Sequence, residues 1–138
     1  MGSIVSEARL LAQAGYKEII LTGIHISSYG LDRDAGSSGD RLIDVIEAVS
    51  KYSGISRIRL GSMEPRIITE EMMQRLSHIP QLCPHFHLSL QSGSDRILRA
   101  MHRKYTSEKA RANILRLRDL FRCLFLSCHP SHRTLSFV

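Results

Sequence analysis

Apolar and polar positions along the chain switch repeatedly between a helical and a two-residue period, and each switch is marked by Gly, Pro or a Ser/Thr cluster. From Glu7 to Gly15 the small and apolar residues Ala8, Leu11 and Ala12 share one helical face, and Gly15 supplies a C-terminal stop. Lys17 to Thr22 is a short, mostly apolar run suited to a buried strand. A Gly-, Ser- and Asp-rich loop follows from Gly23 to Gly39, and Leu42, Val45, Ile46 and Val49 then recur at helical spacing until Ser53-Gly54. In a second strand, Ser56 to Gly61, Arg57 and Arg59 alternate with Ile58 and Leu60, and Pro65 breaks the chain after it. Thr69 ahead of Glu70 and Glu71 reads as an N-cap with acids in the first turn of a helix that carries Met72, Met73 and Leu76 and stops before Pro80. A third strand, His85 to Gln91, sets Phe86, Leu88 and Leu90 on one face and His85, His87, Ser89 and Gln91 on the other. Two further helices are predicted, Ser94 to Met101 and Ser107 to Phe121.

The helices between strands are long enough to be crossovers, so successive strands are expected to be parallel. Two of the three strands are polar on one face, which suits a wall that faces a ligand better than a sheet buried on both sides. The fold class this predicts is α/β, a partial (β/α) barrel of about three parallel βα units.

Composition narrows the function classes. With 43% apolar and 23% charged residues, the chain is a folding sequence of single-domain length. It has no apolar run long enough for a membrane span and no signal-peptide pattern in Met1 to Glu7. Three cysteines, Cys83, Cys123 and Cys128, make no disulfide framework, and the expected compartment is the reducing cytoplasm. A net charge of +6 favours polyanions, but the charge reads as spread along the chain. Aromatics are only 6% with no Trp, a poor basis for a base-stacking platform.

In parallel βα architectures the chemistry sits where strands end and loops begin. Those ends are Thr22-Gly23-Ile24-His25, Gly61-Ser62-Met63-Glu64-Pro65 and Gln91-Ser92-Gly93-Ser94-Asp95. Each combines small residues, which let a ligand approach the backbone, with a side chain that can orient it. Any one of them is equally a plain turn; three at one end of the same domain point to a site. No phosphate-binding Gly-rich loop and no nucleophile elbow is present. His85 and His87 beside Cys83 read as a polar wall, and Cys123, Cys128, His129 and His132 fit no zinc-finger spacing, so no residue is assigned to a metal.

Glu18 to His25 with Ser28-Tyr29-Gly30, Arg57 to Pro65, His85 to Asp95, and Met101-His102-Arg103-Lys104-Tyr105-Thr106 come in one order and spacing. Together they resemble the radical S-adenosylmethionine methylthiotransferases, and within them the branch that thiomethylates N6-threonylcarbamoyladenosine beside the tRNA anticodon. The resemblance implies a partial (β/α) barrel that holds S-adenosylmethionine and a [4Fe-4S] cluster. It also implies a 5′-deoxyadenosyl radical that abstracts hydrogen from adenine C2, and tRNA as the partner. It places Thr22 and Gly23 beside the methionine part of the nucleotide and makes Glu64, Gln91 and Ser92 candidates for ribose and amino-acid hydrogen bonds. Arg103 becomes a fork for a carboxylate or phosphate, with a helix-end surface arginine as the alternative. None of these residues is assigned as catalytic.

The departures from that pattern shape the remaining expectations. The family's Cys-x3-Cys-x2-Cys loop would precede the first helix, and no cysteine stands before Cys83, so the cluster ligands are absent from this chain. An internal piece of such an enzyme, inactive by itself, is therefore expected. The family pattern stops at Phe121, giving residues 1–121 as barrel and 122–138 as a non-family tail of frameshifted or alternatively spliced origin. That tail has no acidic residue, and its apolar run offers an edge for self-association. Two other readings stay open: a non-catalytic basic α/β fragment that binds RNA or a protein, and a related methylthiotransferase acting on isopentenyladenosine.

Overall fold

The computed structural model describes residues 2–24, 26–30 and 41–121, together with the backbone of 125–128. Five helices and four strands alternate among these residues: α1 (Gly2–Gln13), β1 (Glu18–Leu21), α2 (Leu42–Tyr52), β2 (Arg57–Leu60), α3 (Glu70–Ser77), β3 (His85–Leu88), α4 (Asp95–Ala100), α5 (Ser107–Leu120) and β4 (Phe125–Cys128). Short 3-10 turns at Ile26–Ser28 and Pro65–Ile67 follow β1 and β2.

All strand pairings are parallel. β1 runs beside β2 with Ile19 opposite Ile58 and Leu21 opposite Leu60, and β3 runs beside β4 with Phe86 opposite Leu126. Parallel bridges Ile58–Leu82 and Met63–Leu88 join the two pairs, supported by bonds from the Cys83 N–H to the Ile58 carbonyl and from the Met63 N–H to the His87 carbonyl. The order is thus β1-β2-β3-β4, the wall of an α/β partial barrel that the alternating pattern predicted. The apolar run in the tail supplies a fourth strand; residues 122–124 and 129–138, the rest of that tail, lie outside the described residues, as does His25.

The period-2 alternation decides which face is covered. Ile58, Leu60, Phe86 and Leu88 turn toward the helices and are buried against Val45, Ile46, Val49, Met73, Leu76, Ile114 and Leu117 in one contiguous core. Glu18, Ile20, Arg57, Arg59, His85 and His87 take the opposite face, and none of them is fully buried. There the Glu18 carboxylate accepts from Arg59 Nε at 2.7 Å and Arg57 Nε at 2.6 Å; these hydrogen bonds hold its pKa below the usual carboxylate range.

Helix ends follow their chemistry. Thr69 Oγ1 accepts from the Met72 N–H at 3.2 Å and so caps α3; Thr106 Oγ1 does the same for α5 with the Lys109 N–H at 3.3 Å. Gly15 and Gly54, at φ +94° and +82°, take the left-handed conformation that closes the turns after α1 and α2. Two bounds differ from expectation. α1 starts five residues before Glu7, because Ile4, Val5, Ala8 and Ala12 form one stripe packed on the core. β3 ends at Leu88 rather than Gln91, because the Leu90 N–H turns back to the Leu88 carbonyl and Leu90 drops into a second cluster with Leu98, Tyr105 and Ala110.

α2 and α3 are clamped by Arg75. Its guanidinium donates to Asp44 Oδ1 at 2.6 Å and to both Glu47 oxygens at 2.8 and 2.6 Å. Burial works against ionising Asp44, but hydrogen bonds from Arg75 and the Arg41 N–H outweigh it and its pKa is lowered. Glu47 is lowered chiefly by Arg75, whose own pKa is raised in return by Glu47 and then Asp44.

Candidate functional site

The parallel arrangement brings the ends of β1, β2 and β3 to one rim. Thr22 and Gly61 are neighbours there: a Cβ placed on Gly61 would lie 2.7 Å from Thr22 Oγ1 and 3.1 Å from its Cβ. No side chain other than hydrogen fits between them, so the two chain turns stay in close contact. Thr22 and Gly23 are exposed at this rim.

The turn after β2 is held from three sides. The Glu64 N–H donates to the buried Ser27 Oγ at 3.0 Å, which ties it to the turn after β1. Asn113 Nδ2, on α5, donates to the Pro65 carbonyl at 2.9 Å. The Glu64 carboxylate, with its side chain only 13% exposed, accepts from Arg103 Nη1 at 2.7 Å and from Arg66 Nε at 2.8 Å. One charge-assisted hydrogen bond from each of two guanidinium groups fixes the direction of this carboxylate.

Arg103 reaches Glu64 because of how α4 ends. The His102 N–H bonds the Arg99 carbonyl at 3.0 Å and the Arg103 N–H bonds the Leu98 carbonyl at 2.9 Å, a Schellman closure in which His102 takes φ +54°. A non-glycine residue in that region costs on the order of 1 kcal/mol, and the closure aims the following arginine at the rim. Arg103 Nε is buried and has no hydrogen-bond partner among the described residues.

The turn after β3 is set by Tyr105, which is 6% exposed. Its hydroxyl donates to the Ser89 carbonyl and accepts from the Gln91 N–H, both at 3.3 Å. Ser92 Oγ accepts from the Ser94 N–H at 3.1 Å. Asp95 Oδ1 accepts from the Ser107 N–H at 2.7 Å, and that bond is the main reason its pKa is lowered.

Of the six residues singled out from sequence, Glu64 and Arg103 are in direct contact, Gln91 and Ser92 sit on the neighbouring β3 turn, and Thr22 and Gly23 lie at the end of β1 on the same rim. Ser27, Arg66, Tyr105 and Asn113 were not singled out, although they fix the turns that carry the six. Tyr105 stood inside the Lys-Tyr-Thr block, but hydrogen bonds reaching 14 and 16 residues back leave no local signal. A cavity of about 320 Å³ opens beside Ser27 and Arg66, between the N-terminal ends of α2 and α3.

Cys83, whose side chain is described, does not stand on this rim. Cys83 precedes β3, at the opposite end of the wall from Gln91, whereas Cys128 closes β4, opposite Leu88; Cys123 is outside the described residues. Among the described residues no group of three or more His, Cys, Asp or Glu could hold a metal ion, and no helix is long and apolar enough to cross a membrane.

Comparison with known proteins agrees with the parallel α/β fold. The family model of the Radical SAM superfamily matches residues 1–132, past the boundary placed at Phe121. The chain is 43% identical over 106 residues to the threonylcarbamoyladenosine tRNA methylthiotransferase MtaB of Aquifex aeolicus, covering 77% of this chain and 25% of that protein. It is 38% identical over 105 residues to the tRNA-2-methylthio-N(6)-dimethylallyladenosine synthase of Akkermansia muciniphila, covering 76% of this chain and 23% of the relative. The synthase of the same name from Lawsonia intracellularis is 36% identical over 120 residues, 86% of this chain and 26% of its own length. The chain thus spans about a quarter of the length of the curated relatives it matches.

Proposed function

The chain belongs to the radical SAM superfamily, and from that premise we propose that it is the central barrel segment of a tRNA methylthiotransferase, acting on C2 of N6-threonylcarbamoyladenosine beside the anticodon. The observation that supports this reading is the Glu64–Arg103 ion pair after β2, with Gln91 and Ser92 on the neighbouring turn after the parallel strand β3. The 43% identity to a threonylcarbamoyladenosine enzyme, against 38% and 36% to dimethylallyladenosine enzymes, favours the first nucleoside.

The rim suits the amino-acid end of S-adenosylmethionine, which carries an ammonium and a carboxylate. When bound, that cofactor supplies the alkyl and methyl groups of the chemistry. Glu64 offers a fixed anion to the ammonium or a ribose hydroxyl, and the Arg103 guanidinium, held by Glu64 through Nη1, offers positive charge to the carboxylate. Thr22 and Gly23 leave the β1 end low enough for close approach, and Gln91 and Ser92 supply further hydrogen-bonding groups. The [4Fe-4S] cluster that radical SAM proteins use needs converging thiolates, and among the described residues no group of three or more His, Cys, Asp or Glu could hold it. No step is assigned through it, and the chain alone is inactive in this reading.

The test is nucleoside mass spectrometry of tRNA from cells that lack this modification and express the complete reading frame containing the segment. The expected result is a methylthio group on N6-threonylcarbamoyladenosine. Methylthiolation of isopentenyladenosine instead, or none at all, overturns the assignment.

A further inference from the structure

Counting charges by position changes the picture of an evenly basic chain. Residues 95–120, which form α4, its connection and α5, hold eight Lys or Arg against three Asp or Glu, so five of the chain's net six positive charges fall there. Arg96, Arg99, Lys104, Lys109, Arg111 and Arg116 are exposed, and none is in an ion pair with a described residue. Part of this surface is concave. A cavity of about 190 Å³ is lined by Arg99, Arg103, Lys104 and Lys109, with Asp95 as its one acidic residue. Asp95 is already engaged by the Ser107 N–H, and Arg103 by Glu64, which leaves Arg99, Lys104 and Lys109 to face an incoming anion. The first turn of the 14-residue α5 opens on the same cavity and adds the positive end of its dipole.

We propose that the surface formed by Arg99, Lys104 and Lys109 is a docking site for RNA phosphates, next to the strand-end rim. A lipid surface fits it less well, because the apolar stripe of α5 (Ala110, Ile114 and Leu117) is turned inward and buried, and no aliphatic residue lines the cavity. The inference deepens the RNA-modifying reading and rests on it for the choice of RNA. Arg103 connects the two: it lines the cavity and also holds Glu64, so an RNA held here lies one side chain away from the rim.

The experiment measures anisotropy of a fluorescein-labelled RNA hairpin of anticodon-arm size with the full 138-residue chain, across a salt series. The variant K104E/K109E is compared with K17E/K51E, which has the same net charge. Lys109 is the third residue of α5 behind the Thr106 cap, where a glutamate completes a capping box, so the variant keeps its fold. The expected result is a loss of about tenfold or more in affinity for K104E/K109E. Its log–log salt slope should also fall by about 1.5, as two lost phosphate contacts require, while K17E/K51E changes less than about twofold. Equal losses in both variants, no binding by the unmodified chain, or equal binding to phosphatidylserine vesicles or polyglutamate overturns the proposal. Titration with S-adenosylmethionine separates the two readings: cofactor binding at the rim with RNA binding indifferent to Lys104 and Lys109 removes only the docking surface. Patch-dependent RNA binding without cofactor binding removes the methylthiotransferase reading and leaves the surface.

Discussion

Replacing Arg75 by Met should weaken the whole fold and do so in a pH-dependent way. The substitution keeps most of the aliphatic stem and removes three charge-assisted hydrogen bonds to Asp44 and Glu47 that hold α3 against α2. Fully exposed pairs contribute about 0.2–1 kcal/mol and breaking a buried pair costs about 3–5 kcal/mol. The Arg75, Asp44 and Glu47 side chains are 31%, 33% and 40% exposed, so the cost belongs between these limits. After discounting for solvent screening, about 1.5–2.5 kcal/mol is expected at pH 7. For a domain of this size that is a fall in Tm of about 5–8 °C. The sign with pH follows from linkage: both carboxylates have folded pKa values below their unfolded ones, so the unfolded chain binds more protons. Their contribution is complete above the unfolded pKa, near pH 5, and is lost as pH falls through the folded values. Urea unfolding followed by circular dichroism at pH 7 and pH 3 reads this directly. The gap between wild type and R75M should be wide at pH 7 and shrink at pH 3. A gap below about 0.5 kcal/mol at pH 7, or one of equal size at both pH values, refutes the reasoning.

Three further outcomes test the rim. Tyr105→Phe removes the hydroxyl that links the Ser89 carbonyl and the Gln91 N–H; about 1–2 kcal/mol of stability should be lost, with faster exchange of the Gln91 amide in hydrogen-exchange mass spectrometry or NMR. Gly61→Ala places a methyl 2.7 Å from Thr22 Oγ1, where only a short branched side chain can yield; a cost of about 1–3 kcal/mol in urea unfolding and displaced Thr22 and Gly23 resonances are expected. Anaerobic reconstitution with iron and sulfide should leave the chain without a stoichiometric cluster. A visible absorption band with about four irons per chain would show that Cys83, Cys123 and Cys128 do converge.

Most of the wall could be read from the chain because local chemistry specifies it. Alternation at Arg57–Leu60 and His85–Leu88 fixes which face meets the helices, and Thr69 and Gly15 mark helix ends through bonds that span only a few residues. The start of α1 is not legible because no capping signal marks it, and Ile4 and Val5 join the helical stripe only through the core they pack on. The six candidate rim residues are named through the resemblance; five of them also stand at strand ends, whereas Arg103 follows α4 and no strand end marks it. What holds them was not legible. The Ser27–Glu64, Glu64–Arg103 and Asn113–Pro65 contacts join residues 37, 39 and 48 apart, and no periodicity encodes such pairs. The concentration of charge on α4 and α5 was countable from the start, but its meaning came only when the fold put Arg99, Lys104 and Lys109 around one cavity.

The central claim, that the rim binds S-adenosylmethionine, is tested most directly by titrating the 15N-labelled chain with the cofactor and following amide shifts. Binding near the millimolar range, about −4 kcal/mol, is expected without cluster iron. The saturating shifts should be confined to residues 22–24, 61–64, 89–92 and 103, and Glu64→Gln or Arg103→Lys should weaken them without altering the spectrum elsewhere. Shifts that scatter over the surface, that centre on other residues, or that survive both substitutions unchanged would contradict it.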